Sequence, residues 1–225
     1  MKKLIFVTQS KGGAGKSVLT FLLAEKYPEA AILDMDDATK TTTLQLAYRN
    51  PRQITFLNSN KVIDRGLFNA FLEKLSTAKS TLFIADLGAS ISEQLPFYIS
   101  DVNEFLPSVL QELEIELEIY TIIGGANIFT QTMSYLDTLV KSIDNRFKIK
   151  IFKNEFYDFT EDQNTTLKQY SDAYKLETIP FNISKDKNES TQLRIKEVLK
   201  SGEGIDKAGI FSKMYFQKAI KTLAI

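Results

Sequence analysis

Residues 3–17 read Lys3-Leu4-Ile5-Phe6-Val7-Thr8-Gln9-Ser10-Lys11-Gly12-Gly13-Ala14-Gly15-Lys16-Ser17, and their order decides the fold. Lys3 to Thr8 is a short β-rich apolar run, the pattern of a buried strand. A glycine-rich loop follows. From Ser17 to Tyr27, Val18, Phe21, Leu22 and Ala24 fall at helical spacing, and Pro28 stops the helix. Strand, glycine loop and helix in that order form the context in which Gly-x-Gly-Lys-Ser means phosphate binding. The glycines of Gly12-Gly13-Ala14-Gly15 let successive backbone N–H groups turn inward around phosphate oxygens. The helix beginning near Lys16 adds its positive dipole end. Lys16 then reaches the β- and γ-phosphates, and Ser17 ligates Mg²⁺. The ordinary loop pattern needs glycine at position 10, where this chain has Ser10; a second lysine, Lys11, stands directly before two glycines instead.

Outward from the loop, apolar runs and helical patterns alternate. Ala30 to Leu33 predicts a second buried strand, running into Asp34-Met35-Asp36-Asp37. Ile54 to Leu57 predicts a short third strand. Ile63 to Lys79 carries Ile63, Leu67, Phe68, Phe71, Leu72 and Leu75 on one helical face. Thr81 to Ala85 predicts a strand ending in Asp86. A helical stretch runs from about Ser92 to Leu113, with breaks expected at Pro96 and Pro107. A strand over Leu117 to Ile123, a helix over Ile128 to Asp144 and a strand from Phe147 to Phe152 closing at Asn154 follow. Glu177 to Ile179 predicts a last short strand before Pro180, and helices over about Ser190 to Ser201 and Gly209 to Ala224 close the chain. The weak points for order are Tyr157 to Asn164 and Ser184 to Ser190, which are polar and charged. The alternation Glu112, Glu114, Glu116 and Glu118 reads as a helix end running into a strand with one wet face. Strands alternating with helices argue for an α/β fold with a mainly parallel sheet.

Composition narrows the chemistry. The 225 residues suit one domain, taken as 1–225. The 28 Lys and Arg cancel the 28 Asp and Glu, so net charge gives no sign of a dedicated polyanion binder. The absence of Cys excludes disulfides, thiolate zinc, iron–sulfur clusters and thiol nucleophiles. The absence of His excludes Ser-His-Asp triads and imidazole acid–base chemistry. Carboxylates, lysines, hydroxyls, backbone amides and an oxygen-ligated ion remain. The apolar run after Met1-Lys2-Lys3 is too short for a signal-peptide core. That from Tyr120 stops at Gly124-Gly125, well below the ~20 residues of a membrane span. The expected compartment is a cytoplasm.

The string Lys11-Gly12-Gly13-Ala14-Gly15-Lys16-Ser17 resembles the deviant Walker A phosphate loop of the ParA/MinD ATPase superfamily. Two further motifs extend the resemblance. Asp34-Met35-Asp36 looks like the family's second-strand Asp-x-Asp, without the Pro-Gln that usually follows; Asp37-Ala38 stands there. Asp86 in Phe83-Ile84-Ala85-Asp86-Leu87-Gly88-Ala89-Ser90 looks like its third motif, with Gly88 as the switch glycine. Within the superfamily, Asp86 to Ser90, Gly124-Gly125, the helix ending near Asp144 and the strand ending at Asn154 look most like the TraL-like proteins of conjugative plasmids. ParA-type partition proteins are a near neighbour.

The resemblance implies a three-layer α/β/α P-loop NTPase fold, with ATP and Mg²⁺ as cofactors. It implies that Asp36 orients the attacking water and helps hold the Mg²⁺ shell, and that Asp86 contacts Mg²⁺ through water. Asn154 and the backbone around Pro180 would meet the adenine. Arg49, Arg52, Arg65, Arg146 and Arg194 lie outside any motif that would make them fingers in cis. Lys11 stands instead at the family's signature lysine, which acts across a nucleotide-sandwich homodimer. The implied activity is slow ATP hydrolysis that resets an ATP-dependent dimer, in plasmid or mobile-element partition or transfer, with a protein partner that stimulates turnover. Residues 185–225 hold more Lys and Arg than Asp and Glu, which leaves non-specific DNA as a platform. The last helix is amphipathic, and packing on its own sheet is preferred to a MinD-like membrane contact. Two other readings stay open: a nucleotide-binding adaptor without turnover, and an ATP-using ligase of dethiobiotin-synthetase type.

Overall fold

Along β1 (Lys2–Thr8), Leu4 and Phe6 enter one apolar core while Ile5 and Val7 enter another, and all four are buried. A strand buried on both faces belongs in the middle of a parallel sheet covered by helices on each side. The computed structural model describes residues 1–36, 39–183 and 188–223, and shows that arrangement. The other strands are β2 (Ala31–Met35), β3 (Arg52–Gln53), β4 (Leu82–Leu87), β5 (Ile115–Gly124), β6 (Lys148–Asn154) and β7 (Glu177–Phe181). They form one sheet in the order β3-β2-β4-β1-β5-β6-β7, with every described pairing parallel.

Helices α1 (Lys16–Lys26), α8 (Glu189–Ser201) and α9 (Ile210–Thr222) cover the face of Ile5 and Val7. The short α2 (Thr41–Gln45) packs beside them against α1 and α8. Helices α3 (Arg65–Thr77), α4 (Ala89–Val102), α5 (Leu106–Glu112), α6 (Phe129–Ile143) and α7 (Glu161–Tyr174) cover the other face. This is the three-layer α/β/α architecture of P-loop NTPases. The chain passes from β1 to β2 on one side of β1, and from β4 to β5 on the other. The carboxyl ends of β1 and β4 therefore flank a topological switch point, where open α/β sheets bind ligands.

Several expectations shift. The strand expected over Ile54 to Leu57 is instead β3 at Arg52–Gln53, and Leu57 makes only an isolated antiparallel bridge to Ile63. Phe56 is apolar because it packs on Phe68 and Phe71, at ring separations of 5.3 and 5.9 Å, not because it pairs. Pro96 does not break α4, whose buried Ile91, Leu95, Ile99 and Val102 hold one continuous face. Pro107 sits in the first turn of α5, where the missing N–H is not needed. The segment read as weakly ordered leads into α7, opened by a Thr160–Gln163 capping box. Pro180 lies within β7, not after it; an edge strand tolerates a residue without a donor. Helix α9 buries Phe216 and Ala219 as expected of packing on its own domain, yet Ile210, Phe211 and Met214 in its first turns face solvent. Asp37, Ala38, 184–187 and Ala224 lie outside the described residues. Among those described, no helix is long and apolar enough to cross a membrane.

Glu118 corrects the wet-face reading. Glu112, Glu114 and Glu116 are exposed, but Glu118 is wholly buried in β5. Its carboxylate takes Lys3 Nζ at 2.9 Å, Lys148 Nζ at 3.0 Å and the Tyr120 hydroxyl at 2.7 Å. Burial alone would raise its pKa; the hydrogen bonds from Lys3, Tyr120 and Lys148 outweigh it and hold the carboxyl below its usual value. The cluster ties β1, β5 and β6 together. A carboxyl with a depressed folded pKa stabilises in full above its ordinary value of 4.5, and the increment fades as pH falls through the folded value. Glu118→Gln is therefore expected to lower stability at pH 7 by roughly 1–3 kcal/mol. Urea unfolding checks it: the wild-type advantage should shrink in acid. An advantage unchanged across pH would remove the charge from the account.

Candidate nucleotide-binding site

The loop after β1 is built from backbone turns that only its glycines allow. Gly15 has φ +110°, and a Cβ there would stand 2.6 Å from Asn154 Nδ2. Gly15 caps α1 with no side-chain hydrogen bond and no acidic residue in the first turn, so the first N–H groups of α1 are left for an anion. Behind the loop stands Gln9, fully buried. Its Nε2 donates to Ile122 O at 2.7 Å, and its Oε1 accepts from the Lys11 N–H at 3.3 Å. Lys16 Nζ donates to Gln9 O at 2.8 Å, folding the lysine over the loop. Burial pulls the Lys16 ammonium below its usual pKa, while Asp86 and Asp36 pull it back up. An anion arriving beside it would therefore meet a partly desolvated cation.

The far side of the loop is held by the segment after β6. Asn154 Nδ2 donates to Ala14 O at 2.8 Å, its Oδ1 accepts from the Phe156 N–H at 3.1 Å, and the Tyr157 hydroxyl donates to Gly13 O at 2.6 Å. Asn154 is thus joined to the phosphate loop. One amide hydrogen and one lone pair remain for a ligand. Pro180 is on the neighbouring strand but lines a separate cavity of about 230 Å³ with Phe181, Ile183 and Tyr215, and Asn154 is not among its walls.

Three carboxylates gather at the ends of β2 and β4. Asp86 is 2% exposed; its Oδ2 accepts from Ser17 Oγ at 2.8 Å and Thr42 Oγ1 at 2.5 Å. Its Oδ1 is buried with no hydrogen-bond partner among the described residues. Asp34, also buried, accepts from the Thr43 N–H and hydroxyl, both at 2.7 Å, and from the Asp36 N–H at 3.0 Å. Asp36 in turn accepts from the Thr39 hydroxyl at 2.5 Å. Gly88 lets the two strand ends meet: a Cβ there would stand 2.9 Å from Asp36 Cα.

The structure therefore brings Lys16, Ser17, Asp36 and Asp86 together, with Lys11 at the loop's entrance. Sequence reading missed Gln9, Asp34, Thr42, Thr43 and Tyr157; the run Thr41-Thr42-Thr43 was the available signal, since such hydroxyls seek strand-end carboxylates. Hard oxygens at Ser17 and Asp86 suit Mg²⁺, and the orphaned Asp86 Oδ1 is a place for a metal-bound water. Among the described residues no group of three or more carboxylates is found that could hold a metal ion by itself.

Burial pushes the Asp86 carboxyl up to about 6, against the hydrogen bonds from Thr42 and Ser17 and the charge of Lys16. A carboxyl raised in the fold costs stability above that pH, and the cost fades as pH falls toward its ordinary 3.8. In metal-free protein, Asp86→Asn is expected to gain ~1–3 kcal/mol at pH 7. The gain should narrow by pH 5, while stabilisation by Mg²⁺ with nucleotide is lost. Denaturant melts at the two pH values test this; a variant less stable at pH 7 would refute it.

No family model matches the sequence. Two TraL proteins of Escherichia coli are each 25% identical to it over 173 residues, covering 75% of this chain and 70% of theirs. A proposed plasmid partition protein of Borrelia burgdorferi B31, solved bound to AMPPNP, overlays 99% of this chain and 98% of its own with a TM-score of 0.51 at 15% identity. An iodide-soaked plasmid partition protein of the same species covers 88% and 97%, with a TM-score of 0.50 at 14% identity. These structural likenesses are of fold. Taken with the loop and the strand-end aspartates, they support a P-loop NTPase α/β/α fold, and in sequence the chain is similar to TraL proteins, as the resemblance implies.

Proposed function

We propose that the chain, as a single domain over 1–225, binds ATP with Mg²⁺ and hydrolyses it slowly. The observation that supports this most is the loop itself. Its helix N-terminus has no side-chain cap, Lys16 folds over it onto the Gln9 carbonyl, and Ser17 donates to the strand-end carboxylate of Asp86. Bound Mg-ATP would supply the transferable phosphoryl group and the ion's charge. The N–H groups of Gly12, Gly13, Ala14, Gly15, Lys16 and Ser17 would wrap its phosphates, with Lys16 neutralising them. Asp86, through Ser17 and a water, would fix the ion. Asp36 would hold the attacking water in line with the γ-phosphorus, so that the new P–O bond forms as the bond to the β–γ bridging oxygen breaks and ADP leaves. Asn154, with one donor and one acceptor free, remains the candidate base contact; the cavity at Pro180 supports a base contact there less well.

The resemblance to ParA/MinD proteins supports the rest. Lys11 would reach the phosphates of a second copy, making an ATP-dependent homodimer that hydrolysis dissolves. A group supplied in trans is worth ~10³–10⁵ in rate in related chemistry. The cellular role in this reading is plasmid or mobile-element partition or transfer, in the cytoplasm, with a stimulating protein partner and non-specific DNA as the platform.

Lys16→Ala is expected to abolish binding. Thermal unfolding with Mg-ATP at a hundredfold excess over Kd should stabilise the wild type by about 2.7 kcal/mol and the variant not at all. Equal shifts would remove Lys16 from the site. Lys11→Ala and Asp36→Ala should be equally inactive but opposite in assembly. Lys11→Ala should bind ATP and stay monomeric, while Asp36→Ala should accumulate as the dimer. Light scattering in saturating Mg-ATP distinguishes them. Two monomeric variants would leave Asp36 with a structural role, and two dimeric ones would make Lys11 a bystander.

A further inference from the structure

A second cavity, of about 590 Å³, opens at the β3 edge of the sheet, between β2 and α3. Its origin is topological. On one side β2 pairs with β4 from Ala31 to Met35, but on the other β3 pairs only at Leu33 and Asp34. Among the described residues, the first half of β2 has no strand neighbour there, and α3 covers the gap. Leu33, Phe83, Phe71 and Leu75 form the floor and are nearly fully buried. Ala70 and Leu67 of α3 lie at the exposed rim. Among the described residues, the only charged side chains lining the cavity are Arg52 and Lys74, both exposed, and no acidic residue lines it.

We propose that this cleft binds a small amphipathic monoanion: an apolar aromatic or aliphatic body carrying one carboxylate or sulfonate. The volume falls within the ~300–1,000 Å³ of small-molecule sites, and apolar walls with a few placed polar groups are their usual make-up. The walls take the body by burial, and the two cations at the mouth take the head with charge-assisted hydrogen bonds. With both Arg52 and Lys74 among the walls, an anionic head is the one that gains charge-assisted contacts at the mouth. The cleft shares Gln53, Ile54 and Thr55 with the cavity lined by Asp34 and Asp36, and Gln53 Nε2 lies 3.4 Å from Thr43 Oγ1. A ligand seated there would brace the segment that leads to the strand-end carboxylates.

The test uses the full chain without nucleotide, so that its outcome is independent of the ATP reading. Anilinonaphthalene sulfonate, an aromatic monoanion whose fluorescence rises in apolar surroundings, is titrated against wild type, Arg52→Gln/Lys74→Gln and Ala70→Phe. All three substitutions are at exposed positions, and circular dichroism verifies that the variants remain native. One saturable site is expected in the wild type. Affinity should fall at least about tenfold in the double charge variant, the effect of losing one charge-assisted contact. Binding should vanish in Ala70→Phe, whose ring fills the cleft. No saturable site in the wild type, or unchanged binding in Ala70→Phe, overturns the proposal. Unchanged affinity in the charge variant, or equal binding of the uncharged phenylnaphthylamine, overturns the ligand class and leaves the cleft to a neutral or protein occupant.

Discussion

A single buried carboxylate organises the working end of this molecule. Asp86, at the end of a central strand, has no cation bonded to it among the described residues and is held by hydroxyls from two helices: Ser17 at the start of α1 and Thr42 in α2. Taking that carboxyl out of water is costly, and the fold tolerates the cost at the place where a cation and its waters would relieve it. Because both hydroxyls converge on one oxygen, the starts of α1 and α2 are tied to the same carboxylate. The same logic repeats beside it, where Asp34 pins Thr43 and Asp36 meets Thr39.

The sheet explains why these groups meet. With every described pair parallel, all carboxyl ends share one edge, and the order β2-β4-β1 sets Asp34, Asp86 and the phosphate loop side by side. The loop is also braced from the other flank. Gln9 ties it to β5, while Asn154 and Tyr157 bond the carbonyls of Ala14 and Gly13. Those bonds engage the carbonyls of Gly13 and Ala14, which an anion needs turned away, and brace the shape of the loop. Preorganisation of this kind removes ordering cost from binding.

Much of this was legible in the sequence, for identifiable reasons. Buried parallel strands are continuous apolar runs, so β1, β2, β4, β5 and β6 stood out, and the glycine loop between β1 and α1 has few other meanings. Lys16, Ser17, Asp36 and Asp86 could be placed because each sits at a strand end or helix start, where position in the chain fixes position in space. What escaped depends on tertiary contact. Helix α7 buries only Leu167 and Ser171, too little to show a period, and its Thr160–Gln163 cap was the sole local cue. Glu118 alternates with apolar residues as a solvated residue would, yet Lys3 and Lys148 from neighbouring strands make its burial tolerable. Gln9 and Tyr157 act through partners far along the chain, and no spacing rule reveals them. The resemblance implies a base contact at Asn154; the structure shows its amide holding the phosphate loop at Ala14 O.

The central claim is that the prefolded loop from Gly12 to Ser17 is where nucleotide phosphates bind. Amide hydrogen exchange, compared with and without Mg-ATP, tests it most directly. The account predicts that the N–H groups of Gly13 through Ser17 become the most strongly protected in the chain relative to the free protein, because phosphate oxygens take the place of water on donors that the fold leaves unpaired. Unchanged exchange in this loop at saturating Mg-ATP, or protection confined to another part of the sheet edge, would contradict it.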